Sequence, residues 1–204
     1  MVFKILAFTD LHASRTALEK VAEQITKHKP DLLICPGDIS IFENGLEYTL
    51  RKINDLHVPC LLIHGNHEDE VLTQQVCKNL KYLTFLHKKT VVLQNILFIG
   101  HGGGGFSFED PEFEEWAKTI TPQIAQHNQI ILIIHQPVYN TTTDLIYGGA
   151  HVGNKTYRRF IQKYARKIKL VFTGHIHECF GAVDDLSGVV ISNPGQHGKL
   201  YLIE

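Results

Sequence analysis

Asp, His and Asn side chains recur in five short stretches of the chain, each directly after an apolar run. The stretches are Asp10-Leu11-His12, Gly37-Asp38, Gly65-Asn66-His67-Glu68, His135 and Gly174-His175-Ile176-His177. The apolar runs cover residues 3–8, 32–34, 61–63, 130–134 and 170–172. Short apolar runs of this kind are typical of buried strands, and α/β folds gather their sites at the carboxyl ends of strands. The pattern therefore predicts one site built from five distant segments.

These residue types suit a pair of divalent metal ions. Imidazole, carboxylate and amide oxygen without thiolate favour Mn, Fe, Zn, Ni or Co over Ca or Mg, and Mn is the ion we expect. Two ions about 3.5–4 Å apart can activate a hydroxide and hold a phosphoryl group from both sides. A carboxylate has two oxygens and can bridge such a pair, and Asp38 is the candidate. With Asp10 as the other carboxylate, a net charge of about +2 remains, which a hydroxide and a phosphate ester can neutralise.

Two pairs of candidate ligands are separated by a single residue, Asp10 with His12 and His175 with His177. In extended backbone, side chains two positions apart lie on the same face, at a separation of about 6–7 Å. We therefore expect each pair to hold one ion or to straddle both.

In this order, the five stretches resemble the motifs of the calcineurin-like metallophosphoesterases, and the resemblance runs from Asp10 to the Asn193-Pro194-Gly195 turn. It implies an α/β fold of two packed mixed β-sheets flanked by helices, with two metals at the carboxyl ends of the strands. It also implies a ligand set: Asp10, His12 and His177 on one metal, Asp38 between the two, and Asn66, His135 and His175 on the other. His67 falls where the family has a histidine beside the leaving group.

One stretch departs from the family pattern. Many members have a second acidic residue after the Gly-Asp pair, whereas Asp38 is followed here by Ile39-Ser40-Ile41-Phe42. A supporting carboxylate is therefore not expected from this part of the chain.

The resemblance implies a metal-dependent phosphoric ester hydrolase. In that reaction a hydroxide bridging the metals attacks phosphorus, and His67 protonates the departing oxygen. The residues leave monoesters and diesters both open, with a slight preference for diesters. The alternative is a protein-binding scaffold of the same fold with little or no catalysis, as in the retromer-type members of the superfamily.

Length and composition agree with a single globular domain. The 204 residues predict a single domain, 1–204, and 44% hydrophobic with 20% charged residues is ordinary globular composition. A formal net charge of −1 argues against nucleic acid as a partner. The four cysteines form no CxxC, and no membrane span or signal peptide is evident, so we expect a cytoplasmic protein with reduced thiols. Its oligomeric state is left open.

Several features lie outside the predicted ligand set. Gly103, in the run His101–Gly105, and Asp144, Tyr147 and His151, in the long loop 137–153, are candidates for substrate contact. His64 is expected to support a strand end. The remaining histidines are interpreted as surface residues: His28, His57, His87, His127 and His197.

Charge is unevenly distributed along the chain. Residues 155–169 carry seven basic and no acidic side chains, while residues 109–115 carry five acidic ones. A solvated helix face is the favoured interpretation of the basic stretch, and a dock for an acidic partner is the alternative.

Periodicity and turn residues predict the elements that position these groups. Helices are expected over 14–29, from 44, after 69, and over 111–126 and 154–167. Strands are expected over 82–86, 91–93 and 96–99. From 179 onward the chain is expected to form β-structure with turns at Asp184-Asp185, Ser187-Gly188 and Asn193-Pro194-Gly195.

Overall fold

The computed structural model describes residues 2–203, and two mixed β-sheets form its centre. The first sheet contains β1 (Phe3–Ala7), β2 (Leu32–Cys35), β3 (Cys60–Leu62), β4 (Leu83–Phe85) and β11 (Lys199–Ile203), in the order β11-β1-β2-β3-β4. The second contains β5 (Lys89–Leu93), β6 (Ile96–His101), β7 (Ile130–Ile134), β8 (Ile168–Phe172), β9 (Val183–Leu186) and β10 (Val189–Ser192), in the order β5-β6-β7-β8-β10-β9. Strands β1 to β4 are parallel, as are β6, β7, β8 and β10, whereas β11, β5 and β9 pair antiparallel at the edges.

Alternation along the strands divides the core into three layers. In β1, Ile5 and Ala7 point between the sheets and pack with Phe98 and Phe172 of the second sheet. Leu6 points the other way, into the layer that the first sheet shares with its helices. A third layer lies between the second sheet and the remaining helices. Because side chains alternate across a strand, both sheets are buried on two faces, and the predicted fold of two packed sheets flanked by helices is confirmed.

Six α-helices and one short 3₁₀ helix connect the strands. They are α1 (Arg15–His28), α2 (Leu46–Asn54), α3 (Glu70–Cys77), α4 (Pro111–Thr119), α5 (Thr121–Gln126), α6 (Lys155–Lys163) and the 3₁₀ helix His177–Cys179, all within residues 2–203. The Ser14 side chain caps α1 and the Asp69 side chain caps α3, in agreement with the helices predicted over 14–29 and after 69. None of these helices is long and apolar enough to cross a bilayer.

Two local expectations were wrong. The helix predicted over 111–126 is broken at Ile120, and Pro122 lies in the first turn of the second piece. Proline lacks an amide hydrogen and cannot continue a helix without losing a bond. The turn expected at Asp184-Asp185 lies inside β9, where these residues pair with β10. The reversal occurs at Ser187-Gly188, where both residues have positive φ.

Candidate metal centre

The loops after β1, β2, β3, β7 and β8 meet at one edge of the two sheets, and they bring the seven predicted ligands together. Three groups of ligand atoms form there, and within each group the atoms lie within 4.8 Å of one another. The groups are Asp10, His12 and His177; His12, Asp38 and His67; and Asp38, His135 and His175. Since Asp38 and His12 each belong to two groups, the groups are contiguous and form a single cluster.

Asp38 lies between the two ends of this cluster. Its Oδ1 is 3.4 Å from Nε2 of His135, and its Oδ2 is 3.8 Å from Nε2 of His12. The backbone N–H of His67 donates to Oδ1 at 3.1 Å. Burial would raise the pKa of Asp38, but the neighbouring His135 outweighs burial and holds that pKa well below its usual range. Asp38 is therefore ionised, with one oxygen directed toward each half of the cluster.

The donor atoms on both sides fit a bound cation. Oδ1 of Asn66 lies 3.1 Å from Nε2 of His135, and Nε2 of His12 lies 3.0 Å from Nε2 of His177. Nε2 of His175 is buried without any hydrogen-bond partner. An unpaired buried nitrogen is costly, and a metal ion at this position would supply the missing partner. The donor set of nitrogens and oxygens without sulfur suits the borderline divalent ions.

Backbone carbonyls fix the orientation of two of the imidazoles. Nδ1 of His135 donates to the carbonyl of Pro36 at 2.8 Å, and Nδ1 of His12 donates to the carbonyl of Ser40 at 3.1 Å. A carbonyl only accepts, so in the neutral ring the proton is on Nδ1 and the lone pair on Nε2 faces the cluster. This is the arrangement by which outer contacts orient metal-ligating histidines.

Electrostatics in the absence of a cation shows that the cluster requires positive charge. Burial lowers the pKa of His135, but Asp38 and Asp10 outweigh it and raise that pKa to about 9. A hydrogen bond to Asp10 raises the pKa of His177. Burial, with the nearby charge of His135, lowers the pKa of His175 to about 4. Protons on His135 thus balance charge that a metal ion would otherwise balance.

The backbone at four of the ligands is left-handed. The φ angles are 55° at Asp10, 46° at His12, 50° at Asp38 and 70° at His175. The expectation that the Asp-x-His and His-x-His pairs lie in extended backbone is therefore wrong, because both pairs follow the ends of their strands. Left-handed conformations at non-glycine residues cost free energy and concentrate at functional sites. The N–H of His175 offsets part of that cost by donating to both oxygens of Asp10, at 3.0 and 3.2 Å.

Two glycines allow the ligand loops to approach one another. A Cβ on Gly65 would lie 2.0 Å from Oδ1 of Asp38, and a Cβ on Gly174 would lie 2.8 Å from Oδ2 of Asp10. Any side chain at either position would collide with a candidate ligand. The glycines in the Gly-Asn-His-Glu and Gly-His-x-His motifs are thus steric requirements of the cluster.

Glu68 supplies the carboxylate that the loop after Asp38 lacks. It is buried and accepts hydrogen bonds from the N–H of Ser40 at 2.8 Å, the hydroxyl of Ser40 at 2.9 Å and the N–H of Gly65 at 2.9 Å. Burial raises the pKa of Glu68. The sequence reasoning assigned no role to this residue, although it is the last residue of the Gly-Asn-His-Glu motif. Its contacts join the loops that carry Asp38 and Asn66.

A cleft of about 620 Å³ opens above the cluster. It is lined by His12, Asp38, Ile41, Asn66, His67, Phe106, Ile146, Tyr147, His175, Ile176, His177 and Glu178. The His67 ring lies 4.8 Å from the His12 ring and 4.3 Å from the Phe42 ring, measured between centroids. The cleft therefore joins the polar cluster to an apolar rim.

Most of the residues proposed for substrate contact lie elsewhere. Asp144 is fully buried and accepts hydrogen bonds from the N–H groups of Thr141 and Gly153 and from Nδ1 of His151. These contacts organise the long loop internally, and Gly103 lies against the His64 ring. None of Gly103, Asp144 and His151 lines the cleft. The long loop reaches the cleft through Tyr147, which was among the loop candidates, and through Ile146, which the sequence reasoning missed.

The assignment of His87 to the surface was wrong. His87 is buried, and its ring lies 4.5 Å from the His64 ring and 5.0 Å from the His101 ring. Its Nδ1 accepts a hydrogen bond from the N–H of Gly102 at 2.8 Å. The expected support of a strand end by His64 is present, since its carbonyl accepts from the N–H of Gly103.

The basic stretch is engaged with its own fold. Arg159 forms an ion pair with Glu109 of the acidic stretch, and Arg158 donates to the carbonyl of Tyr139. Nζ of Lys167 donates to three carbonyls at the end of α5. These contacts favour a structural interpretation of the charges over a dock for an acidic partner.

The fold and the sequence both have counterparts among known proteins. An uncharacterised protein of Methanocaldococcus jannaschii, MJ1162, is 29% identical over 211 residues, which cover 98% of this chain and 90% of that protein. The crystal structure of TT1561 of Thermus thermophilus matches with a TM-score of 0.78 at 16% identity, covering 99% of this chain and 98% of that one. The phosphopantetheinyl hydrolase of Mycobacterium tuberculosis matches with a TM-score of 0.70 at 14% identity, covering 95% and 89%.

A protein-family model matches most of the chain. The model for calcineurin-like phosphoesterases matches residues 3–179, the segment that contains all seven candidate ligands and His67. With two mixed sheets and a ligand cluster at the ends of their strands, the chain belongs to the calcineurin-like phosphoesterase family.

Proposed function

We propose that this protein hydrolyses phosphate esters with two divalent metal ions, Mn²⁺ being the preferred ion. In this proposal, Asp10, His12 and His177 would hold one ion, Asn66, His135 and His175 would hold the other, and Asp38 would serve both. The observation that carries the proposal is the position of Asp38, whose two oxygens face different histidine groups at 3.8 and 3.4 Å.

The metals and the side chains have separate tasks. When bound, the two ions would lower the pKa of a water molecule and offset charge on the phosphoryl oxygens. The chain orients the donors before any ion arrives, through the carbonyls of Pro36 and Ser40 and through the carboxylate of Glu68. Such preorganisation reduces the rearrangement needed during reaction.

His67 is proposed as the general acid. A histidine acts as an acid in its imidazolium form, in which Nε2 and Nδ1 both carry protons. In that form the ring gives up the long contact, 3.4 Å, from the N–H of Phe42 to Nδ1. Nε2 is 3.9 Å from Oδ2 of Asp38, and the residue lines the cleft. A proton held at this atom is positioned to pass to an oxygen that leaves phosphorus beside Asp38.

The remaining details of the proposal follow the sequence. We propose a small phosphate ester as substrate, with diesters preferred over monoesters, and a cytoplasmic protein that folds as one domain over residues 1–204. The alternative function is a protein-binding scaffold that uses the same fold. The full ligand set together with His67 in the cleft favours the enzyme, because a scaffold has no need for a general acid beside its ligand cluster.

Metal analysis and turnover together test the proposal. Purified protein should bind about two Mn²⁺ per chain, and it should hydrolyse bis(p-nitrophenyl) phosphate with added Mn²⁺ but not after chelation. Bound metal with no turnover on monoesters, nucleotide diesters or cyclic nucleotides would favour the scaffold. Absence of bound metal at millimolar Mn²⁺ would contradict both the ligand set and the reaction.

A further inference from the structure

The cleft above the cluster has an exposed apolar rim. Phe106 is 66% exposed and Tyr147 is 85% exposed, and Ile41 lies beside them on a third loop. Phe42, 71% exposed, lies just outside the cleft against His67. Apolar side chains are usually left exposed together only where they meet a partner or a ligand.

The rim begins within contact distance of the candidate ligands. The Phe106 ring centroid is 4.6 Å from that of His175, and the Phe42 ring centroid is 4.3 Å from that of His67. A group attached to a phosphorus atom at the cluster would therefore lie against these rings. This proximity favours a part of the substrate, rather than a separate protein, as the occupant of the rim.

The cleft also lacks any fixed cation of the protein. Among residues 2–203, no lysine or arginine lines it, and the acidic side chain Glu178 does. A second anionic oxygen or an additional phosphate would find no positive partner beyond the metals and would face that carboxylate. A diester carries one negative charge and a monoester carries about two. The charge of the cleft therefore suits a diester.

We propose that the substrate is a phosphodiester whose non-leaving alcohol is apolar or aromatic, and that Phe106 and Tyr147 select it by packing against that alcohol. This inference rests on the proposed function, because it requires the cluster to hydrolyse esters. It adds two specificity residues that no motif marks, and it separates this protein from enzymes that recognise phosphate by arginine or lysine.

A matched series of esters tests the packing. The p-nitrophenyl diesters of methanol, butanol, cyclohexanol and phenol share one leaving group and differ only in the alcohol that is retained. With the Mn²⁺-loaded protein, kcat/KM should rise by about tenfold or more from methyl to phenyl, the scale of filling an apolar pocket. Phe106→Ala and Tyr147→Ala should each reduce the phenyl rate by about 5- to 10-fold and leave the methyl rate within about twofold.

Phe108→Ala is the control, since Phe108 is an exposed aromatic residue that does not line the cleft. It should leave the whole series unchanged. A flat series in the unmodified protein, or equal losses for methyl and phenyl esters in the Phe106 and Tyr147 variants, would overturn the inference while leaving the proposed function intact. Failure to hydrolyse any ester with metals bound would instead overturn the proposed function.

A variant that adds a positive charge to the rim tests the preference for diesters over monoesters. Tyr147→Arg places a cation on the rim at an exposed position where folding should tolerate it. The ratio of monoester to phenyl diester hydrolysis should rise by about tenfold, because the arginine both binds the second anionic oxygen and removes apolar surface. An unchanged ratio with normal metal content would show that the rim does not contact the substrate.

Discussion

Two groups of histidines lie within the described part of this chain, and their charges are opposite in tendency. At the candidate metal centre, carboxylates lie among the rings, and Asp38 is within 4 Å of nitrogens of His12 and His135. In the second group, His64, His87 and His101 pack ring against ring and extend onto aromatic side chains, with the His101 and Trp116 rings stacked at 5.7 Å.

The charges of the two groups differ accordingly. The pKa of His135 is raised to about 9 by Asp38 and Asp10 despite its burial. The pKa is lowered to about 4 in His64, to about 2 in His87 and to about 4 in His101, in each case mainly by burial. Neighbouring histidines and lysines contribute to the lowered pKa of the first two. At neutral pH the second group is uncharged, whereas the first retains protons unless a metal ion replaces them.

An unpaired nitrogen does not separate the groups. His175 has a buried nitrogen without a partner, and so do His64, His87 and His101. Yet in the described part of the chain, only the first group brings three potential ligand atoms within 4.8 Å of one another. Glu70 and Asp110 lie 3.4 and 3.6 Å from nitrogens of His87 and His101, but neither converges with two further ligand atoms. What distinguishes the first group is therefore the convergence of carboxylates and imidazoles on one point.

The strongest test of this comparison removes a carboxylate from the metal centre. Asp38→Asn keeps the shape of the side chain but removes the charge that faces both halves. We expect stoichiometric metal binding to be lost and turnover to fall by about 10³-fold or more, since developing charge on the phosphoryl group loses its stabilisation. Metal content by elemental analysis and hydrolysis of bis(p-nitrophenyl) phosphate measure both effects.

Glu70→Gln is the matched control for that experiment. Glu70 lies 3.4 Å from Nε2 of His87, at the outer edge of the second group. Because that group is neutral and holds no metal in our interpretation, the control should retain full metal content and turnover. Equal loss in both variants would show that the two groups are not distinct.

The next effect concerns His67, which lies beside the metal centre without belonging to the proposed ligand set. His67→Ala should keep both metals and lose about 10²–10⁴ in rate on alkyl or nucleoside esters, whose alkoxides need a proton to leave. The loss should be much smaller on nitrophenyl esters. His12→Ala, a ligand change, should reduce hydrolysis of both kinds alike. Equal losses in His67→Ala would assign His67 to binding the phosphoryl group instead.

The number of protons released when Mn²⁺ binds tests the raised pKa of His135. Since His135 has a pKa of about 9 in the absence of metal, the ion must displace its proton at neutral pH. The affinity for Mn²⁺ should therefore rise by up to about tenfold per pH unit between pH 6.5 and 9, and level off above that. Calorimetry in buffers of different ionisation enthalpy counts the protons, and a value of zero at pH 7 would contradict the assignment.

Much of the site was predictable, because each candidate ligand directly follows, in the sequence, the apolar run that predicts its strand. Apolar runs ending in polar residues predicted the strands and the side chains that follow them, and Ser14 and Asp69 predicted two helix starts. The backbone at Asp10 and Asp38 was not predictable from alternation, because the left-handed turns depend on contacts between loops. Glu68 was overlooked for the same reason, since its partner Ser40 lies 28 residues away.

The second histidine group was hidden by its local context. His87 is followed by Lys88 and Lys89, a polar run that indicates the surface, yet its ring lies beneath the Gly-rich loop after β6. Likewise, Asp144 and His151 drew attention in the long loop because their side chains are titratable, but Ile146 and Tyr147 are the loop residues that line the cleft. Which side of a loop faces a site is decided by tertiary packing, and a single sequence gives no signal for it.

The smallest effect that sharpens the comparison is the acid sensitivity of the second group. The folded-state pKa of His64, about 4, is below its ordinary value of about 6.5. The unfolded chain therefore binds more protons between these values, and the free energy of unfolding is complete above pH 6.5 and falls as the pH drops toward 4, by up to about 1.4 kcal/mol per unit for this residue. His135 acts in the opposite direction in the metal-free protein, since its raised pKa stabilises the fold below pH 6.5 and loses that effect as the pH rises through 9.

His64→Leu isolates the contribution of this one ring. The variant replaces the ring with an apolar side chain of similar volume, and Nδ1 of that ring has no hydrogen bond to lose. Urea unfolding of the metal-free protein at pH 4.5, 5.5 and 6.5 should show that the free energy of unfolding falls less steeply with acid in the variant. Between pH 7 and 9 the pH dependence of that free energy should be the same in both proteins. If the acid slope persisted in full, the titrating groups would lie elsewhere, and His64 would be a packing residue whose protonation does not oppose folding.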